Sequence, residues 1–140
     1  MDTKDINWSE LPFGYVKADY NVRCTFKDGK WGPIEVSDSE YIPMHIAASC
    51  LHYGQEAFEG LKLFEEMVRT VVKLNQNIIP PYGSGASLYI RPLEIGISPK
   101  IGVSPASEYM VVMLVTPVGP YFKAGFKPTK VCLSRDYDRV

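Results

Sequence analysis

The amino-acid sequence predicts an α+β fold, in which a mixed or antiparallel sheet is combined with few helices and covered on one face. Three patterns predict it: an alternating segment early in the chain, one amphipathic helical pattern in the middle, and a continuous apolar run of strand length near position 110. With 140 residues, of which 46% are hydrophobic, the chain is expected to build one domain around a single core.

The alternating segment covers residues 16–26, where apolar and polar side chains take turns as in a strand with one buried and one wet face. Asp28-Gly29 predicts a tight turn, after which residues 31–36 return as a hairpin partner. Pro33 marks that partner as an edge strand or an irregular one. Residues 37–41 are expected to form a loop or the cap of a short helical turn.

The middle of the chain predicts a change from strand to helix. Residues 47–63 are interpreted as two short strands or one bent strand, because Gly54 and Gly60 interrupt any regular pattern. From Glu65 to position 79 apolar residues recur at helical spacing, and a Pro-Pro pair ends that helix.

The join between strand and helix contains neither a loop nor a capping residue, although strand-to-helix connections usually take about 2–6 residues. We therefore expect a connecting segment to be missing between Lys62 and Glu65. The alternative is one buried helix over residues 57–79, which tolerates Gly60 at a cost of about 1 kcal/mol.

Three further segments complete the predicted sheet. A glycine-rich loop at 82–87 leads into a strand at 88–97, "LYIRPLEIGI". The apolar run "YMVVMLVT", 109–116, is predicted to be the central buried strand. Residues 117–128 form a turn-rich loop, and 131–134 begin a last strand.

Composition excludes several classes of function. The net charge of -1 comes from 15 basic and 16 acidic residues, without a basic stripe for nucleic acid, and no apolar stretch is long enough to cross a bilayer. The amino-terminal residues lack a signal-peptide pattern, so we expect a cytoplasmic protein. The spacing of Cys24, Cys50 and Cys132 suggests neither disulfides nor a zinc site, and we interpret His45 and His52 as structural.

Several residues are candidates for binding. Tyr89 and Arg91 are two apart on a predicted strand, so they share a face on which a phenol and a guanidinium can grip a carboxylate. The alternative is a solvent-exposed strand face on which the arginine has no binding role. Without further information, these two residues favour that alternative. Tyr53 and Phe58 can wall an apolar pocket, although core packing is the commoner role. The loop "YGSGAS" is interpreted as an ordinary tight loop rather than a phosphate cradle.

Three segments, "LHYGQEAFEGLK", "GASLYIRPLEIG" and "TPVGPYFKAG", together resemble the branched-chain amino acid aminotransferases, pyridoxal-phosphate enzymes of fold type IV. The related D-amino acid aminotransferases and aminodeoxychorismate lyase share that fold, but "SLYIRP" and "GPYF" favour the branched-chain group. The resemblance implies that residues 1–140 are the small amino-terminal domain, with a stretch missing between Lys62 and Glu65. It also implies an absent carboxy-terminal domain, which holds the Schiff-base lysine and most groups that bind the cofactor.

By this resemblance, the complete enzyme uses pyridoxal 5'-phosphate to transfer the amino group of leucine, isoleucine or valine to 2-oxoglutarate, and it is a homodimer. This chain is then expected to contain no catalytic and no cofactor-binding residue and to supply the substrate side of the pocket. The implied substrate-binding residues are Tyr53, Phe58, Tyr89, Arg91, Val103 and Tyr121. Tyr53 and Val103 are expected to reach the partner subunit's site. The alternative function is a non-catalytic truncated domain with a dimerisation or weak carboxylate-binding surface.

Overall fold

The computed structural model describes residues 6–57 and 62–120, together with residues 128 and 130. Six strands and two helices are present in these ranges, so the predicted α+β class is confirmed. The strands are β1 Asn21–Lys27, β2 Lys30–Trp31, β3 Glu35–Ser37, β4 Glu56–Ala57, β5 Ser87–Gly96 and β6 Tyr109–Val118. The helices are α1 Ser49–Tyr53 and α2 Lys62–Leu74, and short 3-10 turns occupy Trp8–Glu10 and Gln76–Ile78.

The described strands form one sheet in the order β2-β1-β6-β5-β4, with β3 also paired to β1. All of these pairings are antiparallel. The apolar run predicted to be central does form β6, which lies between β1 and β5. The sheet therefore places the two longest strands, β5 and β6, side by side over ten residue pairs.

The predicted hairpin is confirmed. Asp28 and Gly29 both have positive φ, 52° and 77°, and they connect β1 to β2 as a two-residue turn. Beyond Trp31 the partner strand is interrupted and pairs with β1 again only at β3. This interruption contains Pro33, as expected of a residue that cannot donate to the ladder.

Helix α2 covers one face of the sheet. Met67 and Val71, one turn apart on the helix, are fully buried and pack against Val22, Met113 and Val115 of the sheet. The opposite side of the helix faces solvent. The fold thus has one dry face under α2, and the other face of the sheet remains available for a site.

Asn75 joins the end of α2 to the beginning of β1. Its side-chain nitrogen donates to the carbonyls of Val71, at 2.8 Å, and Tyr20, at 3.0 Å, while its oxygen accepts from the Tyr20 amide at 3.0 Å. Asn75 is completely buried. One side chain therefore satisfies three backbone groups that would otherwise lack partners at a helix end and a strand start.

Three predicted boundaries were wrong. The alternating pattern from position 16 becomes strand only at Asn21, because the backbone of Val16 bonds to the Thr116 side chain and that of Tyr20 to Asn75. The helix begins at Lys62, three residues before the predicted start at Glu65, and ends at position 74 instead of 79. A single helix over 57–79 is likewise excluded, since residue 57 belongs to β4.

The interpretation of residues 47–63 as strands was also wrong in part. Residues 49–53 form helix α1, and among the described residues of this segment the one strand is the two-residue β4. The helix is stabilised by distant contacts, including the Ser49 amide bonded to the Ser98 carbonyl at 3.2 Å and a bridge between Ala48 and Pro99. Gly54 ends it in the left-handed region, at φ 59°. The predicted strand at 131–134 lies outside the described residues.

Candidate functional site

Tyr89 and Arg91 lie on β5 and share the face of the sheet opposite α2. They pair with Thr116 and Leu114 of β6, and paired residues of an antiparallel ladder project to the same side. The intervening Ile90 belongs to the other face, where it packs against the core. The predicted shared face of Tyr89 and Arg91 is thus present in the structure.

The Arg91 side chain is available to an anion. Its Nη1 donates to the Tyr89 hydroxyl at 3.2 Å, and within the described residues it makes no ion pair. A guanidinium has five N–H donors in a planar fork, so donors remain for a carboxylate after the bond to Tyr89. The tyrosine bond orients the fork, which reduces the conformational freedom that a ligand must remove.

A cavity of about 260 Å³ opens beside this pair. Its second wall is a segment without regular secondary structure that crosses this face of the sheet, residues 13–17, which we name the strap. Phe13, Gly14 and Tyr15 of the strap line the cavity opposite Tyr89 and Arg91. The cavity therefore combines one cation, aromatic walls and an aliphatic floor, which suits a small carboxylate with an apolar portion.

Thr116 holds the strap on the sheet. Its Oγ1 accepts from the Val16 amide at 2.8 Å and donates to the Val16 carbonyl at 3.0 Å. The threonine is only 6% exposed, although it stands at the end of an otherwise apolar strand. A single hydroxyl thus satisfies both backbone groups of Val16 and fixes the wall of the cavity.

A second contact holds the strap at its exposed side. The Tyr15 hydroxyl donates to Glu40 Oε1 at 2.7 Å, and Lys17 Nζ lies 3.3 Å from Glu40 Oε2. Desolvation of the phenol, its hydrogen bond to Glu40 and the charge of that carboxylate raise the pKa of Tyr15 to about 12. The hydrogen bonds from Tyr15 and Lys17 lower the pKa of Glu40. At neutral pH, Tyr15 is therefore a hydroxyl donor and Glu40 a carboxylate.

Tyr53 and Val103 lie close to each other near α1, away from the cavity beside Arg91. Tyr53 ends α1, and its hydroxyl accepts a hydrogen bond from the Gly102 amide at 2.7 Å, next to Val103, which is 92% exposed. The α1 segment is bound near the end of β5, about five residues, or roughly 17 Å, from Arg91 along the strand. The structure thus separates this pair from Tyr89 and Arg91.

The remaining predicted site residues, Phe58 and Tyr121, lie outside the described residues. Sequence reasoning missed Phe13, Tyr15 and Thr116, which form or hold the wall of the cavity. The signal for Thr116 was present, because a hydroxyl residue within a continuous buried run requires a hydrogen-bond partner. No comparable pattern marks the strap.

The described residues around Arg91 do not fit pyridoxal phosphate. No lysine lines the cavity, and its side-chain donors are one guanidinium, the phenols and one threonine hydroxyl that is bonded to Val16. In the described part of the chain, no group of three His, Cys, Asp or Glu residues is placed to hold a metal ion. Among the same residues, no helix has the length and apolar character needed to cross a membrane.

Relatives decide the family. A branched-chain-amino-acid aminotransferase of Haemophilus influenzae is 37% identical over 98% of this chain and 50% of its own length. One from Helicobacter pylori is 33% identical over 89% of this chain and 47% of its own length, and one from Arabidopsis thaliana chloroplasts is 32% identical over 97% and 41%. This chain belongs to the branched-chain-amino-acid aminotransferases.

The chain spans about half the length of the curated relatives it matches. No family model matches it. The aligned segments of those three relatives are 173, 160 and 174 positions long, more than the 140 residues of the chain, so the relatives have positions without a counterpart here.

Proposed function

We propose that this chain is the substrate-binding part of a branched-chain-amino-acid aminotransferase. In the complete enzyme, the amino group of leucine, isoleucine or valine passes to 2-oxoglutarate with pyridoxal 5'-phosphate as the cofactor. The cavity beside Tyr89 and Arg91 is the single observation that carries the proposal. It offers an oriented guanidinium without an ion-pair partner among the described residues. The relatives of this chain are named as enzymes that act on amino acids, and every amino acid carries a carboxylate that such a guanidinium can bind.

The cofactor would supply the electron-withdrawing ring through which amino groups are exchanged. The residues of this chain have a different task in the proposal. Arg91 pairs with a carboxylate of the substrate, Tyr89 orients the guanidinium, and Phe13 with Leu114 gives the apolar part of the substrate a dry surface. Phe58 and Tyr121 are proposed to complete the substrate pocket.

A missing segment between Lys62 and Glu65 is part of the proposal. In the structure, α2 begins at Lys62 and continues without interruption past Glu65, so no loop interrupts the chain within residues 62–65. The aligned segments of the relatives are longer than this chain, which supports a deletion in this chain relative to them. We further propose a carboxy-terminal domain that holds the cofactor, and a cytoplasmic location.

A homodimer is the proposed assembly, with the surface around α1 at its interface. Ile46, Leu51, Ile101 and Val103 are 81%, 60%, 73% and 92% exposed, and backbone contacts bring their segments together. Apolar side chains grouped in this way favour a partner protein. In that dimer, Tyr53 and Val103 face the partner subunit's substrate, which explains their separation from Arg91.

The carboxylate site is tested by titrating the isotope-labelled chain with glutarate, a five-carbon dicarboxylate, and following amide shifts by NMR. We expect a dissociation constant in the millimolar range, because the cavity is open and the main contact is one charge-assisted pair worth about 1.5–3 kcal/mol. Arg91→Gln should weaken binding about tenfold, and Arg91→Lys should weaken it less.

Arg69→Gln is the matched control, since Arg69 lies on the outer side of α2 and pairs with Glu65 at 2.8 Å. It should leave glutarate binding unchanged. Equal binding by wild type and Arg91→Gln, with shifts away from β5, would show that Arg91 is not the anchor.

The enzymatic part of the proposal is tested on the natural protein. A mass well above the 15.7 kDa of this chain, bound pyridoxal phosphate and leucine-dependent conversion of 2-oxoglutarate to glutamate would support it. In the full enzyme, Arg91→Ala should raise the Michaelis constant for glutamate. A colourless, inactive 140-residue product would instead identify a non-catalytic domain.

A further inference from the structure

A second cavity, of about 170 Å³, lies on the same face of the sheet between the strap, β1 and the loop at 38–42. Tyr15 and Leu114 line both cavities, so Tyr15 separates them. The second cavity is smaller than the roughly 300–1,000 Å³ typical of sites for drug-sized ligands, which limits its occupant to a small molecule.

Arg23 provides the positive group of this cavity. Its Nε donates to Asn21 Oδ1 at 2.9 Å and its Nη2 to the Ser39 carbonyl at 2.7 Å, and Asn21 donates to the same carbonyl at 2.9 Å. These acceptors are neutral, and in the described ranges Arg23 has no ion-pair partner. The guanidinium is therefore held in place with its charge uncompensated by an ion pair and with donors to spare.

Asp38 provides the negative group. Of the two carboxylates that line the cavity, Glu40 is already bonded to Tyr15 and Lys17. The Asp38 side chain makes no hydrogen bond or ion pair with the described residues. An acid and a guanidinium without ion-pair partners thus line one small cavity, where each can receive an opposite charge.

The remaining surface of the cavity is apolar. Ala18, Ile42, Val112 and Leu114 line it, and Tyr20 adds an aromatic ring. Burying an aliphatic side chain against this surface contributes about 25 cal/mol for each Å² removed from water. A ligand that has a carboxylate, an ammonium and a short aliphatic chain meets all three kinds of surface.

We propose that this cavity binds a free α-amino acid with an aliphatic side chain, at a site separate from the cavity of Tyr89 and Arg91. Arg23 receives the α-carboxylate, Asp38 receives the α-ammonium, and Val112 with Leu114 contacts the side chain. A simple carboxylate would face the charge of Asp38 and a simple amine that of Arg23, so the zwitterion binds more tightly than either. Tyr15 forms a wall of both cavities, so the two sites adjoin.

The test is an NMR titration of the labelled chain with L-leucine, 4-methylpentanoate, which lacks the amino group, and 3-methylbutylamine, which lacks the carboxylate. Leucine should shift the amides of residues 21–23 and 38–42, and each single-charge probe should bind about tenfold more weakly. Equal affinity for leucine and 4-methylpentanoate would overturn the proposal, as would an absence of shifts in these residues at about 50 mM leucine.

Variants separate this site from the first cavity. Arg23→Gln should weaken leucine binding about tenfold, whereas Arg91→Gln should leave the shifts at 21–23 and 38–42 unchanged. Asp38→Asn removes no described hydrogen bond, so it remains decisive if Arg23→Gln disturbs folding, and it should abolish the preference for leucine over 4-methylpentanoate. Loss of those shifts in Arg91→Gln, with full binding retained in Arg23→Gln and Asp38→Asn, would assign leucine to the first cavity.

Discussion

Replacing Thr116 by valine tests whether one hydroxyl fixes the strap on the sheet. Valine keeps the shape of threonine but removes both bonds to Val16. Each hydrogen bond contributes about 0.5–1.5 kcal/mol net, which gives an upper range of about 3 kcal/mol for the pair. Val16 is only half-buried, so water can replace part of the loss, and we expect the free energy of unfolding to fall by about 1–2 kcal/mol.

Chemical denaturation measures this change in the free energy of unfolding, and Thr116→Ser is its control. Serine keeps the hydroxyl and loses one methyl group, worth about 0.8 kcal/mol when buried. Hydrogen exchange separates the two variants more sharply, because only valine removes the acceptor of the Val16 amide. We expect faster exchange of this amide, and weaker glutarate binding, in Thr116→Val than in Thr116→Ser.

Unchanged protection of the Val16 amide in Thr116→Val would refute this reasoning. It would show that the strap is held mainly by other contacts, such as that between Tyr15 and Glu40. Normal protection in both variants, together with equal loss of stability, would mean that side-chain packing and not hydrogen bonding determines the role of Thr116.

Asn75→Ala should lower the free energy of unfolding by about 2–4 kcal/mol, because it removes the partner of the buried Val71 carbonyl and of the part-buried amide and carbonyl of Tyr20. Thermal denaturation would measure this change, and a value below about 0.5 kcal/mol would contradict the prediction. The pKa of Glu40 is lowered by folding, so its contribution to stability is present at neutral pH and is lost as pH falls through that lowered pKa. Glu40→Gln should remove this part of the pH dependence of the free energy of unfolding in acid. The pKa of Tyr15 is raised to about 12, so its contribution is present below about pH 10 and is lost as pH rises toward 12; Tyr15→Phe should flatten the alkaline limb of a stability profile, and an unchanged limb would contradict the assignment.

Local pattern was sufficient for the elements whose stabilising contacts are near in sequence. The Asp28-Gly29 turn, the amphipathic character of α2 and the apolar run of β6 were all predicted, because periodicity and turn chemistry are properties of neighbouring residues. The common face of Tyr89 and Arg91 was predictable for the same reason. Their assignment to a carboxylate rested on a resemblance to a family, and it stays a prediction until binding is measured.

The elements that pattern did not predict depend on contacts between distant positions. Helix α1 is held by contacts with residues 98 and 99. Strand β1 begins only at Asn21 because the amide and carbonyl of Tyr20 form hydrogen bonds with the Asn75 side chain. Helix α2 begins before the predicted start, and its early residues Leu63 and Phe64 pack against the core. Such elements form where contacts with residues distant in sequence stabilise them.

The sequence alone thus determined the β1–β2 hairpin, the helical character of α2, strands β5 and β6, and the side of β5 on which the tyrosine and arginine stand, since each follows from residues a few positions apart. Only the tertiary structure decided that the strap crosses the sheet, where a threonine one hundred residues away satisfies its backbone and closes a wall over two cavities. The physical reason is that a hydrogen bond depends on distance in space, and the pairing of β1 with β6 is what makes that distance short.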